Sequence, residues 1–257
     1  MIYDKLYILK LCILIILVIL LIILSNKSTI CTNSMNIEGY DNKNNLPVIY
    51  YINLKKEKDR NIHMKRQFKL QNLNNYHRFN GINGRLYKIS KYEKSILISP
   101  KFKNKNGIIG CALSHYKLWQ QLIKKNVDIA LICEDDIEFV DNFNLKLQHL
   151  IIQMKKEKYD IIVLHNNIKK YEYDKISKII HYNRLYWFGG GLTSYIINKK
   201  ALKVLLEEIK RAGIYKEIDW FVYIQYKKLK IGFINIPIIK YSIYQNNSNI
   251  ERINNII

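Results

Sequence analysis

From Pro47 onward, short apolar runs alternate with longer segments whose apolar residues recur at helical spacing, and this alternation predicts an α/β domain. Val48 to Leu54 (VIYYINL) reads as a first strand, and Lys55 to Asn72 as a helix with Ile62, Phe68 and Leu73 near one face and Asp59 as a candidate cap. Tyr76 to Asn80 is a second short strand. Gly81 to Asn106 has no clean period and carries turn signals at Asn80-Gly81 and Asn83-Gly84, so a loop with room for one short helix is expected. Gly107 to Asn126 is a helix with Leu113, Leu118, Leu122 and Ile123 near one face. It feeds Ile129 to Phe139 (IALICEDDIEF), an apolar run that stops in three acids, Glu134, Asp135 and Asp136. Asn142 to Lys158 (helix) and Asp160 to Leu164 (strand) then complete a βαβ-like unit around the acids. Lys199 to Arg211 is a helix stopped near Gly213. Asp219 opens the segment after it, and Ile231 to Ile236 and Ile238 to Tyr244 read as terminal strands.

The N-terminal part follows a different pattern. Leu6 to Leu24 is apolar except for Lys10 and, at about 1.5 Å rise per residue, long enough to cross most of a bilayer. It exceeds the usual h-region of a signal peptide, and no A-x-A-like cleavage site follows, so an uncleaved anchor is expected. Lys5 and Lys10 precede or enter the span and Lys27 follows it; this bias places the N-terminus in the cytoplasm and the bulk of the chain across the membrane, a single-pass type II arrangement. The expected organisation is an anchor over 1–25, an Asn/Ser/Thr-rich stem over 26–46 and one domain over 47–257, with no internal repeat.

Composition alters this picture little. The formal charge of +21 invites a nucleic-acid reading, but the Lys residues are spread among many Asn and Ile and form no basic, aromatic-interleaved module, so no nucleic-acid partner is expected. The milder inference is a basic surface near phosphates, sugars or lipid heads. The four cysteines form no CxxC or Cys/His metal spacing, which argues against a disulfide framework or a zinc site.

The chemistry concentrates at the acids. A buried strand ending in carboxylates lies where open α/β sheets bind ligands, and such acids can hold a hard divalent cation; the alternative is an acidic turn after a core strand. Tyr186 to Ile197 carries three glycines between aromatics and a strand signal, read either as a ligand-facing loop or as a bulged turn.

Taken in order, YYINLKKEKDR (Tyr50 to Arg60), RFNGINGR (Arg78 to Arg85), GIIGCALSHYKLW (Gly107 to Trp119), ALICEDDIEF (Ala130 to Phe139), GGLTSYIINKKAL (Gly190 to Leu202) and IDWF (Ile218 to Phe221) resemble glycosyltransferase family 25, the family of bacterial lipooligosaccharide galactosyltransferases and procollagen galactosyltransferases. The resemblance runs from Val48 to about Tyr244, and the G-x-x-G-C-x-L-S-H block joined to the E-D-D block is its most specific part. It implies a GT-A-like, Rossmann-like mixed sheet flanked by helices, a UDP-sugar donor, a divalent metal such as Mn²⁺, a glycan or glycoprotein acceptor, and transfer with inversion. Along an extended stretch Glu134 and Asp136 point to one side and Asp135 to the other. By resemblance Asp136 is the metal ligand, with Glu134 and Asp135 toward the ribose, the sugar or a metal-bound water. Asp219 is the candidate general base, with a helix N-cap as its alternative role. Asn53 and Arg60 fall where the family's nucleotide lies; Arg60 is either a phosphate partner or an exposed helical arginine. Ser114 and His115 line the donor site from the start of their helix, or His115 is a structural histidine, and Gly190 and Gly191 allow the sugar close to the backbone. Asn166 to Arg184 matches the family poorly and is assigned to the acceptor side. A catalytically silent adhesion or glycan-binding relative on the same fold is the competing reading, and the intact acids argue against it.

Overall fold

The chain divides into two units, Met1–Asn44 and Asn45–Ile257. The computed structural model describes residues 46–100, 102, 106–165, 179–181 and 191–244. The expected anchor, nearly all of the stem, Gly190, and most of the segment assigned to the acceptor lie outside the described residues. Among the described residues no helix is long and apolar enough to cross a membrane.

In chain order the elements are β1 Val48–Asn53, α1 Lys58–Leu70, β2 Tyr76–Asn80, α2 Lys91–Leu97, α3 Asn106–Lys124, β3 Ile129–Glu134, β4 Ile137–Phe139, α4 Phe143–Glu157, β5 Ile161–Val163, β6 Ile179–His181, β7 Ser194–Asn198, α5 Lys199–Ala212, α6 Ile218–Tyr223, a 3-10 turn Ile224–Lys227, β8 Ile231–Ile234 and β9 Ile239–Tyr241. Local chemistry accounts for several boundaries. Ser90 and Glu93 form a capping box that starts α2, the short helix expected within Gly81 to Asn106. Asn198 caps α5 by accepting from the Ala201 N–H, and Gly213, at φ 67°, ends it. Asp59 does not cap α1: Glu57 occupies that position without a side-chain cap bond, and Asp59 lies in the first turn, where the helix dipole favours an acid. Ile62 is 64% exposed, and the buried face of α1 is Arg60, Met64 and Phe68.

Among the described residues seven strands form one sheet, in the order β2-β1-β3-β7-β5-β8-β6. β2, β1 and β3 are parallel neighbours, β7 runs antiparallel to both β3 and β5, β5 and β8 are parallel, and β6 is an antiparallel edge. The expected βαβ crossover from β3 to β5 is present, but β7 is inserted between its two strands. A separate antiparallel ribbon pairs β4 with β9, Ile137 opposite Tyr241.

The period-2 pleat sorts the sheet into two cores. Ala130 and Ile132 of β3 face one cluster with Leu118 and Trp119 of α3, Leu202 and Leu205 of α5 and Phe221 of α6. Leu131 and Cys133 face the other, with Met64 and Phe68 of α1 and Phe143, Leu147 and Leu150 of α4. Full burial of each such aliphatic or aromatic side chain contributes about 1.5–3 kcal/mol. The placement of helices on both faces has a direct consequence: the residue that follows Cys133 on β3 looks toward α3, and the next one looks toward α1.

Candidate functional site

From β1 the chain crosses to β2 on one side and later returns to β3 on the other, so the carboxyl ends of β1 and β3 flank a topological switch point. A pocket opens there. Its walls include Ile52 and Leu54 at the end of β1, Ile82 to Arg85 after β2, Gly107, Cys111, Ser114 and His115 on α3, Lys56, Arg60, and the three acids.

The acids do not share one environment. Glu134, the last residue of β3, faces α3: its Oε1 lies 3.4 Å from His115 Nε2 and 3.7 Å from Cys111 Sγ. Burial pushes its carboxyl up, but the contacts with His115, Cys111 and nearby His165 outweigh this and leave it below the usual carboxylate range. Asp135 faces α1. Its Oδ1 accepts from Arg60 Nη1 at 2.9 Å and its Oδ2 from Asn53 Nδ2 at 2.6 Å. Burial raises Asp135 above its ordinary value, and those two hydrogen bonds hold the rise back.

Asp136 departs from the extended-strand expectation, because the strand ends at Glu134 and Asp135-Asp136 form a turn into β4. Asp136 approaches the same arginine that holds Asp135, with Oδ2 3.9 Å from Arg60 Nη1. Its Oδ1 is buried and has no hydrogen-bond partner among the described residues. Burial, then the charges of Glu134 and Asp135, raise its carboxyl to about 7 against the pull of Arg60. An orphaned carboxylate oxygen among acids at a pocket wall is a donor set that could hold a hard divalent cation.

Other residues singled out from the sequence hold this frame. Asn53 carries Asp135 with its amide nitrogen and accepts from Arg78 Nε at 2.8 Å. Arg60 is 5% exposed, not a surface arginine, and it also donates to the Tyr244 carbonyl at 2.8 Å. Through that bond and the Ser242 N–H to Asp136 carbonyl bond at 2.9 Å, the segment after β9 is tied to the acid turn. Ser114 donates to the Gly110 carbonyl and accepts the Ile82 N–H at 2.8 Å, fastening the loop after β2 to α3. The contact is close: a Cβ on Gly84 would stand 1.7 Å from the Asn106 carbonyl oxygen.

Asp219 is not the N-cap of α6; Glu217 is, and Asp219 sits in the first turn. Its Oδ2 accepts the Gly191 N–H at 2.7 Å and its Oδ1 the Trp220 N–H at 2.8 Å. Tyr223, one turn further on, donates to the Gly191 carbonyl, so both polar groups of Gly191 are held by α6. Gly191 adopts φ 110°, and a Cβ there would lie 3.3 Å from His165 Nε2; glycine fits the position on both counts. Arg78, Trp119, Tyr195 and Tyr223 were not singled out from sequence. Tyr223 was within reach, because a helix starting near Asp219 puts i and i+4 on one face.

A mixed sheet with a switch-point pocket walled by a buried acid turn and by Lys56, Arg60 and Arg85 has the layout of a ligand-binding α/β domain. The family model for glycosyltransferase family 25 (LPS biosynthesis protein) matches residues 46–222, and the chain belongs to that family. Among its relatives, procollagen galactosyltransferase 1-B of Xenopus laevis is 26% identical over 200 residues, 72% of this chain and 32% of the relative. A protein of Acanthamoeba polyphaga mimivirus named as a candidate glycosyltransferase is 31% identical over 178 residues, 63% of this chain and 53% of the relative. The matched region therefore spans about a third of the frog protein and about half of the viral one. A solved glycosyltransferase involved in glycosylation of the major capsid of PBCV-1 is 10% identical, with 64% of this chain and 66% of that chain covered and a TM-score of 0.35, too low a likeness to serve as a template for the site.

Proposed function

We propose that the chain is a metal-dependent inverting glycosyltransferase that moves a hexose, galactose or glucose, from a UDP-sugar to a hydroxyl of a glycan or glycoprotein acceptor. The observation that carries this reading is the buried Oδ1 of Asp136, without a hydrogen-bond partner among the described residues, in a group of three acids at the switch-point pocket. Membership of family 25 and the names of the galactosyltransferase relatives support the reaction class and the sugar. In this reading the N-terminal apolar segment anchors the protein as a type II membrane protein, with the domain in a secretory lumen or at an envelope membrane.

A divalent cation, Mn²⁺ in the first instance, supplies charge to offset the leaving diphosphate when it is bound. Asp136 would hold it, and Glu134 would contribute its Oε2. Asn53, Arg60 and Asp135 act one step back, as a buried frame that keeps the acid turn in place, while Ile52, Leu54 and Ile82 give the nucleoside apolar walls. Lys56 and Arg85 line the same pocket and place positive charge where phosphates lie. Asp219 takes the proton of the acceptor hydroxyl. Each of its oxygens already accepts one backbone N–H, which leaves one acceptor direction on each oxygen for that proton.

The test is UDP release from UDP-galactose and UDP-glucose by the full chain in detergent, with Mn²⁺ and with a chelator. Turnover that needs the metal and disappears in Asp136→Ala is expected. Absence of turnover with any donor would favour the catalytically silent glycan-binding reading, and unchanged turnover in Asp136→Ala would overturn the metal role of Asp136.

A further inference from the structure

Cys111, His115 and Glu134, all on the wall of the switch-point pocket, present one ligand atom each within 4.8 Å of one another. The cluster has the look of a metal centre, but the hydrogen bonds behind it point elsewhere. Trp119 Nε1, which can only donate, lies 2.8 Å from Tyr195 Oη, and Tyr195 Oη lies 2.8 Å from His115 Nδ1. All three side chains are buried, and among the described residues Tyr195 Oη meets no other hydrogen-bond partner.

We infer that Trp119 and Tyr195 form a buried donor chain that fixes the proton of His115 on Nε2, and that His115 thereby positions Glu134 at the pocket. The Trp119 N–H takes up one acceptor direction of Tyr195 Oη. The phenol proton then has one place to go, the lone pair of His115 Nδ1. Were Nδ1 to carry the proton instead, two N–H groups would converge on Oη and the phenol proton would be buried without an acceptor. The other end of the ring asks for the same tautomer. Nε2 faces Glu134 Oε1 at 3.4 Å, long for a hydrogen bond, and an ionised carboxylate can only accept. A bare Nε2 would set lone pair against carboxylate.

Two consequences follow for the chemistry. An Nε2 that carries a proton cannot ligate a metal, and Nδ1 cannot take that proton without orphaning Tyr195. The cluster is therefore a hydrogen-bonded support and not a second metal site. Its role is to hold Glu134 Oε1 inward, which leaves Oε2, with no hydrogen bond among the described residues, for the pocket. His115 acts through Glu134 and is a positioning residue. Only this last role rests on the transferase reading; the tautomer is tested without turnover.

The full chain, labelled with ¹⁵N-histidine in detergent micelles, is read by long-range ¹H–¹⁵N correlation, with the His115 pattern assigned by its absence in His115→Gln. The expected pattern has Nε2 protonated and Nδ1 bare, unchanged by one equivalent of Zn²⁺. In Tyr195→Phe the fixed pattern should give way to an exchange-averaged or Nδ1-protonated ring. A wild-type ring protonated at Nδ1, or Zn²⁺ shifting the His115 signals, overturns the inference. If Tyr195→Phe does not fold, the wild-type spectrum with and without Zn²⁺ decides alone. The expected tautomer in a chain that releases no UDP would overturn the transferase reading while supporting this one.

Discussion

Asp219 accepts the N–H of Gly191 at 2.7 Å, while Tyr223 on the same helix face donates to the Gly191 carbonyl. The proposed base is thus also one half of a clamp, and the two roles can be separated. Asp219→Asn keeps an oxygen to accept the Gly191 N–H but cannot take a proton; it should retain UDP binding and lose transfer by about 10²–10⁴-fold, the usual worth of a general base. Tyr223→Phe removes only the other half of the clamp and should keep transfer within about tenfold of wild type. Equal losses in the two variants, measured as kcat with the Kd for UDP as control, would reassign Asp219 to the clamp alone.

Arg60 and Asp135 form an ion pair at 2.9 Å with side chains 6% and 9% exposed. Removing one partner of such a pair leaves a buried charge, so Arg60→Ala should lower unfolding stability by about 3–5 kcal/mol. The double variant Arg60→Met with Asp135→Leu should recover most of that loss, because the desolvation cost disappears along with the attraction. Chemical denaturation of the three chains checks this; a double variant no more stable than Arg60→Ala would mean that the pair is not the source of the loss.

Gly84 and Gly81 lie in one loop yet differ in what a methyl group would meet. At Gly84 the methyl would stand 1.7 Å from the Asn106 backbone oxygen, and at Gly81 it would meet the Ile52 Cγ2 and Leu54 Cδ2 methyl groups at 3.1 and 3.2 Å. Backbone cannot give way as side-chain ends can. Gly84→Ala should cost more than about 2 kcal/mol and disturb the pocket wall, whereas Gly81→Ala should cost less than about 1 kcal/mol. Thermal unfolding of both variants reads the contrast directly.

Glu208 on α5, its side chain 3% exposed, accepts from Arg211 and Lys228. The Arg211 hydrogen bond, and then the Lys228 one, hold its carboxyl at about 2, below the ordinary 4.5. A carboxylate depressed in the folded state contributes stability that is fully present above its unfolded value and is lost as pH falls through the folded one. Glu208→Gln should therefore cost about 1–3 kcal/mol at pH 7, nearer the low end because Arg211 and Lys228 are largely exposed and screened. The gap to wild type should close between pH 4.5 and pH 2 in denaturation midpoints taken across that range; a gap independent of pH would assign the loss to packing.

Much of the frame was legible along the chain. β1, β2, β3 and α3 lie within a few residues of where hydrophobic period and turn residues put them, because those signals act over one or two turns of chain. The order of the motif blocks was enough to identify the family that the profile match over residues 46–222 establishes. The alternation along β3 also put Glu134 and Asp135 on opposite sides, as the structure has them; it failed one residue later, where the strand ended.

The amino-acid sequence by itself thus determined most of the element order, though not β4 or β6, together with the strand that ends in acids and the family. Tertiary structure alone decided what each acid meets, because those partners are remote along the chain: Arg60 lies 75 residues from Asp135, Tyr195 80 from His115, and Gly191 28 from Asp219. Their meeting depends on sheet order and on which helix covers which face, including the antiparallel β7 that enters between β3 and β5 and carries Tyr195 to the back of His115. No local periodicity encodes that choice; it is settled by burying two separate apolar faces of one sheet at the same time.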